Sequence, residues 1–279
     1  MIRWMSQGRW IGTPERPLVM GIVNATPDSF SDGGRFNSLI SLLTHAESLV
    51  ADGADLLDIG GESSRPGARP ISLAEELDRV IPLVEQLSGR VDVPLSVDTV
   101  KPEVAQVALD AGAAIINDIG GLRDPEMLRV VAASDAGVVI MHMQGIPETM
   151  QHAPTYQDVV GDVHDYLASR VQLAEAAGIA RERIALDPGI GFGKSFEHNL
   201  HLLRELNQLT ILGCPLLVGT SRKGFLGKLT GRTTSDRQVA SVASALAASA
   251  RGASIVRVHD VRATVDALLV WTAQNGWVV

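Results

Sequence analysis

The sequence is poor in three things that would otherwise define its class. It has one cysteine, Cys214, in 279 residues, which excludes a disulfide framework within the chain and fits a reducing compartment. Set beside Pro215 and away from any base, that thiol reads as a small core residue rather than a nucleophile. The chain also lacks a basic excess: its net charge is -8 and its pI near 5.4, against the basic stripe that nucleic acid or an anionic membrane would require. Finally, no run approaches the roughly 20 apolar residues of a membrane span, and the opening MIRWMSQGRW has no continuous apolar stretch. The expectation is a soluble cytoplasmic protein.

What is present is a regular alternation. With 46% hydrophobic residues and 27 glycines, the chain has the length and composition of a single α/β barrel. Short aliphatic runs suited to buried strands lie at Leu18–Asn24, Ala54–Ile59, Pro94–Asp98, Ile115–Asp118, Gly137–Met141, Ile184–Asp187, Pro215–Gly219 and Ser254–Val258. Segments of helical period separate them, at Ser38–Ala51, Ser72–Leu87, Pro102–Ala111, Pro125–Ala136, Tyr156–Ala177, Phe196–Asn207, Asp236–Arg251 and Val261–Gln274. Ser72 with Glu75 forms a capping-box pattern, and Pro102 and Pro125 sit where a first-turn proline is tolerated. Gly53, Gly112, Gly137, Gly178 and Gly252 follow helices as left-handed stops.

Repeated strand-helix units with short returns and no low-complexity linker predict a closed (β/α)8 TIM barrel, one domain over 18–279. Residues 1–17 precede it and are expected, from Trp4, Trp10 and Ile11, to cover the barrel bottom.

In such a barrel the C-terminal strand ends build the active site. Here they carry Asn24, Asp58 with Glu62, Asp98, Asn117 with Asp118, His142, Asp187, the run Ser221-Arg222-Lys223, and Arg257 with His259. One strand-end Asp or Asn is as readily a cap or a turn former. A polar residue at every strand is expected to converge on one cavity. Two subsets stand out. Asp98, Asn117 and Asp187 suit a flat heterocycle with N–H donors, with Lys223 complementing its acceptors. The cations Arg65, Arg222, Lys223, Arg257 and His259 come from loops two, seven and eight; of these Arg65, Arg257 and His259, with Asn24 and Ser64, can line one side of the mouth and suit an anion such as phosphate.

Other motifs fail on inspection. DPGIGFGK, 187–194, has Pro188 where a Walker A loop needs glycine, so its glycines read as room for close chain approach. His142 and His152 lack the spacing of a zinc site. A Mg²⁺ bridging a diphosphate needs few protein ligands, and Asn24 could supply one oxygen.

The segments NATPDSFSDGG (24–34), DIGGESSRPG (58–67), SVDT (96–99), INDI (116–119), MHMQG (141–145), DPGIGFGK, SRK (221–223) and RVHDV (257–261) run in order along nearly the whole chain. Together they resemble the dihydropteroate synthases of the pterin-binding barrel superfamily. The resemblance implies condensation of 6-hydroxymethyl-7,8-dihydropterin diphosphate with 4-aminobenzoate, giving 7,8-dihydropteroate and diphosphate for folate biosynthesis. It implies catalytic roles for Asp98, Lys223 and Arg257, and a pterin site of Asp98, Asn117, Met141, Asp187, Phe192, Gly219 and Lys223. Asn24, Ser64, Arg65, Arg257 and His259 are then expected at the diphosphate, with Mg²⁺ on Asn24. Thr26, Phe30, Pro66, Ser221 and Arg222 are expected at the 4-aminobenzoate, in a site open to sulfonamides. The segment from Thr26 to Arg35 is expected to fold over both substrates.

Ala25, Ser64 and Ile190 depart conservatively from the family pattern. Members are commonly homodimers, which the apolar helices SVASALAASA and VDALLVW permit. Two alternatives remain: a methyltetrahydrofolate-corrinoid methyltransferase, which needs no diphosphate site, and a non-catalytic pterin-binding paralogue.

Overall fold

A computed structural model describes residues 4–12, 16–26 and 34–275. The chain opens with an antiparallel hairpin of β1 (Trp4–Ser6) and β2 (Arg9–Ile11). Then β3 (Leu18–Asn24), β4 (Leu56–Gly60), β5 (Leu95–Asp98), β6 (Ile115–Asp118), β7 (Gly137–Met141), β8 (Ile184–Asp187), β9 (Leu216–Val218) and β10 (Ala253–Val258) close into a parallel barrel, β10 pairing back onto β3. Around it run α1 (Gly34–Ala51), α2 (Leu73–Leu87), α3 (Pro102–Asp110), α4 (Pro125–Ala133), α5 (Val159–Ala176), α6 (Phe196–Arg204), α7 (Gly224–Thr230), α8 (Gln238–Ser249) and α9 (Val261–Gln274). The fold is the (β/α)8 barrel expected from the sequence.

Strand periodicity divides the core in two. Successive side chains of a strand point to opposite faces. One set, including Val19, Val23, Leu57, Ile59, Val97, Ile116, Val138, Ile140, Leu186, Val218 and Val256, packs outward under the helices. The alternate set, Met20, Leu56, Ile115, Val139, Ala185, Leu217 and Ile255, fills the barrel interior together with Trp4 and Ile11 of the hairpin. Two residues further along each strand, the same inward direction brings Asp58, Asn117, Met141, Asp187, Gly219 and Arg257 to the mouth. The apolar lower layer thus dictates which residues face the site.

The hairpin is seated on the strand starts. Trp4 is fully buried, its Nε1 donates to Arg183 O at 3.0 Å, Ser6 Oγ donates to Ala114 O, and Gln7 N donates to Asp135 O at 2.8 Å.

Some local expectations change. Gly137 is not a helix stop: α4 ends at Ala133, and Gly137 opens β7, where a Cβ would come 3.2 Å from Met5 O. Gly53, Gly112, Gly178 and Gly252 do have positive φ, from 95° to 109°. Ser72 Oγ accepts from Glu75 N at 3.2 Å, but the Glu75 carboxylate turns to Arg79 instead of completing a capping box. Helix α5 starts at Val159 because Asp158 caps it, accepting from Val160 N at 3.1 Å.

Trp4→Ala should destabilise the protein by about 3–5 kcal/mol, since it empties a packed aromatic site. Urea unfolding checks this, and a loss under about 1 kcal/mol would mean that the hairpin contributes little to the barrel.

Candidate active site

At the mouth the central group is the Arg257 guanidinium. Its Nε donates to Asp58 at 2.5 Å and its Nη2 to Asp98 at 3.0 Å. Asp58 is fully buried and also accepts from Ser96 Oγ at 2.6 Å and Asn117 Nδ2 at 3.0 Å. Strands β10, β4, β5 and β6 are therefore joined by one hydrogen-bonded set. Asp58 was legible as a strand-end residue, yet nothing in the sequence revealed it as the hub. Its signal is the inward phase it shares with Leu56.

Asp187 closes the other side. Its Oδ1 accepts from Gly189 N at 2.7 Å; burial raises its pKa, and Lys223 and the Gly189 hydrogen bond oppose that rise. The Lys223 ammonium donates to Ile190 O and lies 4.6 Å from the centroid of the Phe192 ring. Gly219 leaves space between them, for a Cβ there would stand 3.8 Å from Arg257 Cβ and 3.9 Å from Lys223 Nζ. Met141 is buried in an apolar cluster with Ile119, Met143 and Met150, against which Phe192 packs. Asp98, Asn117, Asp187, Lys223, Gly219 and Arg257 thus line one polar floor, with Met141 and Phe192 as its apolar wall.

Burial pushes Asp98 up to about 7; Arg257 opposes the rise, and Asp58, Glu76 and Asp118 add to it. Burial brings Lys223 down to about 8, with Asp187 resisting and Arg257 contributing. For Arg257 burial disfavours the charge, but Asp58 and Asp98 outweigh it and its pKa rises. These are the opposed shifts expected where several charges share a poorly solvated space.

His259 stands among the cations of the mouth, and with no anion beside it burial, with Arg222 and Arg257 next, lowers its pKa to about 4. It is a neutral ring at pH 7, with Nδ1 3.0 Å from Ser221 Oγ. Arg222 is paired with Asp260 at 2.7 Å and has a left-handed φ of 58°. That conformation is held from behind: Arg222 N donates to Ser241 Oγ at 2.9 Å, and Arg237 Nη1 donates to Arg222 O at 3.0 Å. Neither Arg237 nor Ser241 was visible as a site residue, because only folding of α8 against the loop gives them a role.

Two strand-end residues turn away from the cavity. Asp118 accepts from Gly120 N and Leu122 N, both at 2.7 Å, and so serves its own turn. His142 is buried and faces Lys194 Nζ at 2.9 Å. Polar convergence is therefore real but not universal, since some strand ends satisfy local turns first.

The loop after β4 is anchored at its base by Lys101, whose Nζ reaches Glu62 and Glu76, both at 2.5 Å. Its tip crosses towards the loop after β7, where Gly67 N donates to Pro147 O at 3.1 Å. Ser64 is half-buried, and Arg65 and Pro66 are exposed. Arg65 is close enough to help lower the pKa of His259. Asn24 and Thr26 lie half-buried at and just beyond the end of β3. Phe30, with the rest of 27–33, lies outside the described residues. Among the described residues, no group of three or more His, Cys, Asp or Glu is arranged for a metal.

Comparisons with known proteins place this barrel in a family. The family model described as "Pterin binding enzyme" matches residues 20–259. A dihydropteroate synthase of Escherichia coli K12 is 50% identical over 254 residues, covering 91% of this chain and 90% of that protein. Two solved structures are also similar. One is a Xanthomonas albilineans dihydropteroate synthase with 4-aminobenzoic acid, at 52% identity, a TM-score of 0.89, and 93% of each chain covered. The other is a Burkholderia cenocepacia dihydropteroate synthase complexed with 7,8-dihydropteroate, at 49% identity and a TM-score of 0.89, covering 99% of this chain and 97% of that one.

The charge cluster predicts a pair of opposite shifts. Asp58→Asn should lower the apparent pKa of Asp98 by removing a neighbouring negative charge, and Arg257→Ala should raise it above about 7. Carboxyl NMR titration reads both, and the reverse order would refute the electrostatic assignment.

Proposed function

The chain belongs to the family of pterin-binding enzymes, and from its place among the dihydropteroate synthases we infer that it joins 6-hydroxymethyl-7,8-dihydropterin diphosphate to 4-aminobenzoate. The products are 7,8-dihydropteroate and diphosphate, so the enzyme is a transferase of folate biosynthesis. The observation that carries this reading is the mouth layer in which Asp58, Asp98 and Asp187 alternate with Arg257 and Lys223. Acceptors for ring N–H groups stand beside donors for ring and phosphate oxygens.

The pterin is assigned to Asp98, Asn117, Asp187 and Lys223, against Met141 and Phe192, with Gly219 giving it room. A carboxylate can accept two parallel N–H bonds, and Lys223 can donate to a ring acceptor once it leaves Ile190 O. The diphosphate is assigned to Arg257, His259, Ser64, Arg65 and Asn24. Arg257 uses Nε and Nη2 for Asp58 and Asp98, so its Nη1 is the nitrogen left to meet a phosphate oxygen. His259 is neutral without an anion beside it, and the negative charge of an arriving diphosphate would favour its protonation. A bound Mg²⁺ would be held by Asn24, diphosphate oxygens and water, and would neutralise charge on the leaving group.

The 4-aminobenzoate is assigned to Ser221 and Arg222 with Pro66, Thr26 and Phe30. Sulfonamides, which carry the same arylamine, would compete there. Cleavage of the C–O bond at the pterin methylene leaves positive charge spread into the dihydropterin ring. The Asp98 carboxylate, fixed by Arg257, stabilises that charge electrostatically. The C–O bonding pair leaves with the diphosphate; the amine nitrogen of 4-aminobenzoate then forms the new C–N bond to the methylene and gives up its proton to the released diphosphate, and exclusion of water until then protects the cation from hydrolysis.

Helices α8 and α9 pack side by side and leave Val239 80% and Val270 58% exposed, a face suited to a homodimer. A buried Cys214 thiol, pushed up to about 11 by burial, suits a reducing cytoplasm.

Purified protein with Mg²⁺ should release diphosphate only when both substrates are present; absence of product with both would sink the synthase reading. Its kcat/KM for the pterin diphosphate should be bell-shaped. The acid limb falls near pH 7, where Asp98 must be ionised, and the alkaline limb near pH 8, where Lys223 must be charged. Asp98→Asn should abolish the acid limb along with most of the rate. Arg257→Ala should weaken binding of pterin diphosphate about tenfold more than binding of free pterin, since it removes a charged phosphate donor. Equal losses would refute the phosphate assignment.

A further inference from the structure

Lys194 ends the DPGIGFGK segment, where a nucleotide-binding lysine would reach outward to phosphate. Here it points inward and is only 2% exposed. Its Nζ donates to Gly189 O at 2.9 Å and Phe192 O at 3.0 Å, and lies 2.9 Å from His142 Nδ1. The His142 carbonyl is a fourth, longer neighbour at 3.4 Å. An ammonium has three hydrogens, and the three near acceptors take them all. His142 is suited to accept, because burial, with Lys194 next, lowers its pKa to about 3 and keeps the ring neutral.

The ammonium thus ties the loop after β8 to the end of β7. The two loops lie backbone against backbone: a Cβ on Gly189 would overlap His142 O, and one on Gly193 would overlap Gln144 O. Both glycines have positive φ, 69° and 58°. Other groups hold the same loop from its flanks. Gly191 N donates to Asn199 Oδ1 at 2.6 Å, Gln151 Nε2 donates to Gly191 O at 2.8 Å, and Tyr156 OH donates to Gly193 O at 2.7 Å. The Ile190 carbonyl is then presented to Lys223, and the Phe192 ring to the face of that same ammonium.

We propose that Lys194 is a positioning residue of the pterin pocket, setting the places of Phe192 and Lys223 through the carbonyls it holds. The proposal rests on the reading of this mouth as a dihydropteroate synthase site. Lys194 meets Phe192 only at its backbone carbonyl and acts on the pocket through the loop. Losing its donors strands the carbonyls of Gly189 and Phe192 and the ring nitrogen of His142 in a dry interior, where unpaired polar groups are costly. The loop then relaxes while Asp98 and Asn117, fixed on strands, stay in place. Groups facing the ammonium include Asp187, which favours its charge, and Lys223, which opposes it; burial is the larger influence and brings it to about 7.

Steady-state kinetics of Lys194→Met, of similar length but without donors, tests this. The KM for dihydropterin diphosphate is expected to rise about tenfold or more, while the KM for 4-aminobenzoate and kcat stay within about threefold. Lys194→Gln, with two N–H donors on a shorter stem, is expected to recover part of the loss. If Lys194→Met does not accumulate as folded protein, His142→Leu, which removes the cross-loop acceptor but leaves an apolar side chain against Tyr166, is expected to give a smaller selective rise of the same kind. A folded variant with an unchanged pterin KM, or with both KM values raised equally, would overturn the proposal. Failure of the underlying function would show separately, as no product from the unaltered enzyme.

Discussion

The half-buried Arg257 guanidinium between Asp58 and Asp98 is the interaction on which the mouth of this barrel depends. Three carboxylates close together in a poorly solvated space repel one another, and each would take up a proton if left alone. Arg257 holds two of them and Lys223 faces the third, so two cations offset most of the charge of three carboxylates. That balance is loose enough for Asp98 to remain near 7 and Lys223 near 8. Both groups are therefore poised to respond when a ring with its own donors and acceptors enters.

The position of this cluster follows from the lower layer. Met20, Leu56, Ile115, Val139, Ala185, Leu217 and Ile255 fill the barrel beneath it, and Trp4 with Ile11 extends that packing under the strand starts. A slip of one residue in β4, β5 or β8 would turn a mouth carboxylate into the helix layer and an aliphatic group into the mouth. Register, rather than loop conformation, is what fixes Asp58, Asp98, Asn117, Asp187 and Arg257 relative to one another.

This explains what could be read from the sequence. The strands Ile115–Asp118, Gly137–Met141 and Ile184–Asp187 were legible to the residue, because buried parallel strands are continuous aliphatic runs that end in a polar residue. The hairpin escaped because its strands are three residues each; its signal is Gln7-Gly8, both of positive φ, the pair a tight hairpin turn requires. Helix α7 escaped because Gly224 and Gly227 look like loop. The site residues were legible by type and strand position, but partnership was not. No periodicity says that Asp58 serves Arg257, Ser96 and Asn117 at once, that His259 is neutral, or that Arg237 supports Arg222. Those facts depend on which side chains meet after the barrel has closed.

The same distinction separates the two lysines of the site. Lys194 and Lys223 both follow glycine-containing or polar loop segments, and sequence gives no reason to send one inward and the other to the cavity. Folding does. The positive-φ glycines at 189 and 193 let the loop after β8 lie directly on the backbone after β7, and so enclose the carbonyls of Gly189 and Phe192 and the ring nitrogen of His142, three acceptors that need a buried donor. Lys194 supplies it, and the loop then has one carbonyl, that of Ile190, turned to the Lys223 ammonium. A bound pterin that drew Lys223 away would leave Ile190 O needing another donor, so ring binding and the conformation of this loop are coupled through a single hydrogen bond. Gly189 and Gly193 of DPGIGFGK thus permit the close backbone approach on which this pocket wall rests, while Gly191 leaves room for the Lys223 stem.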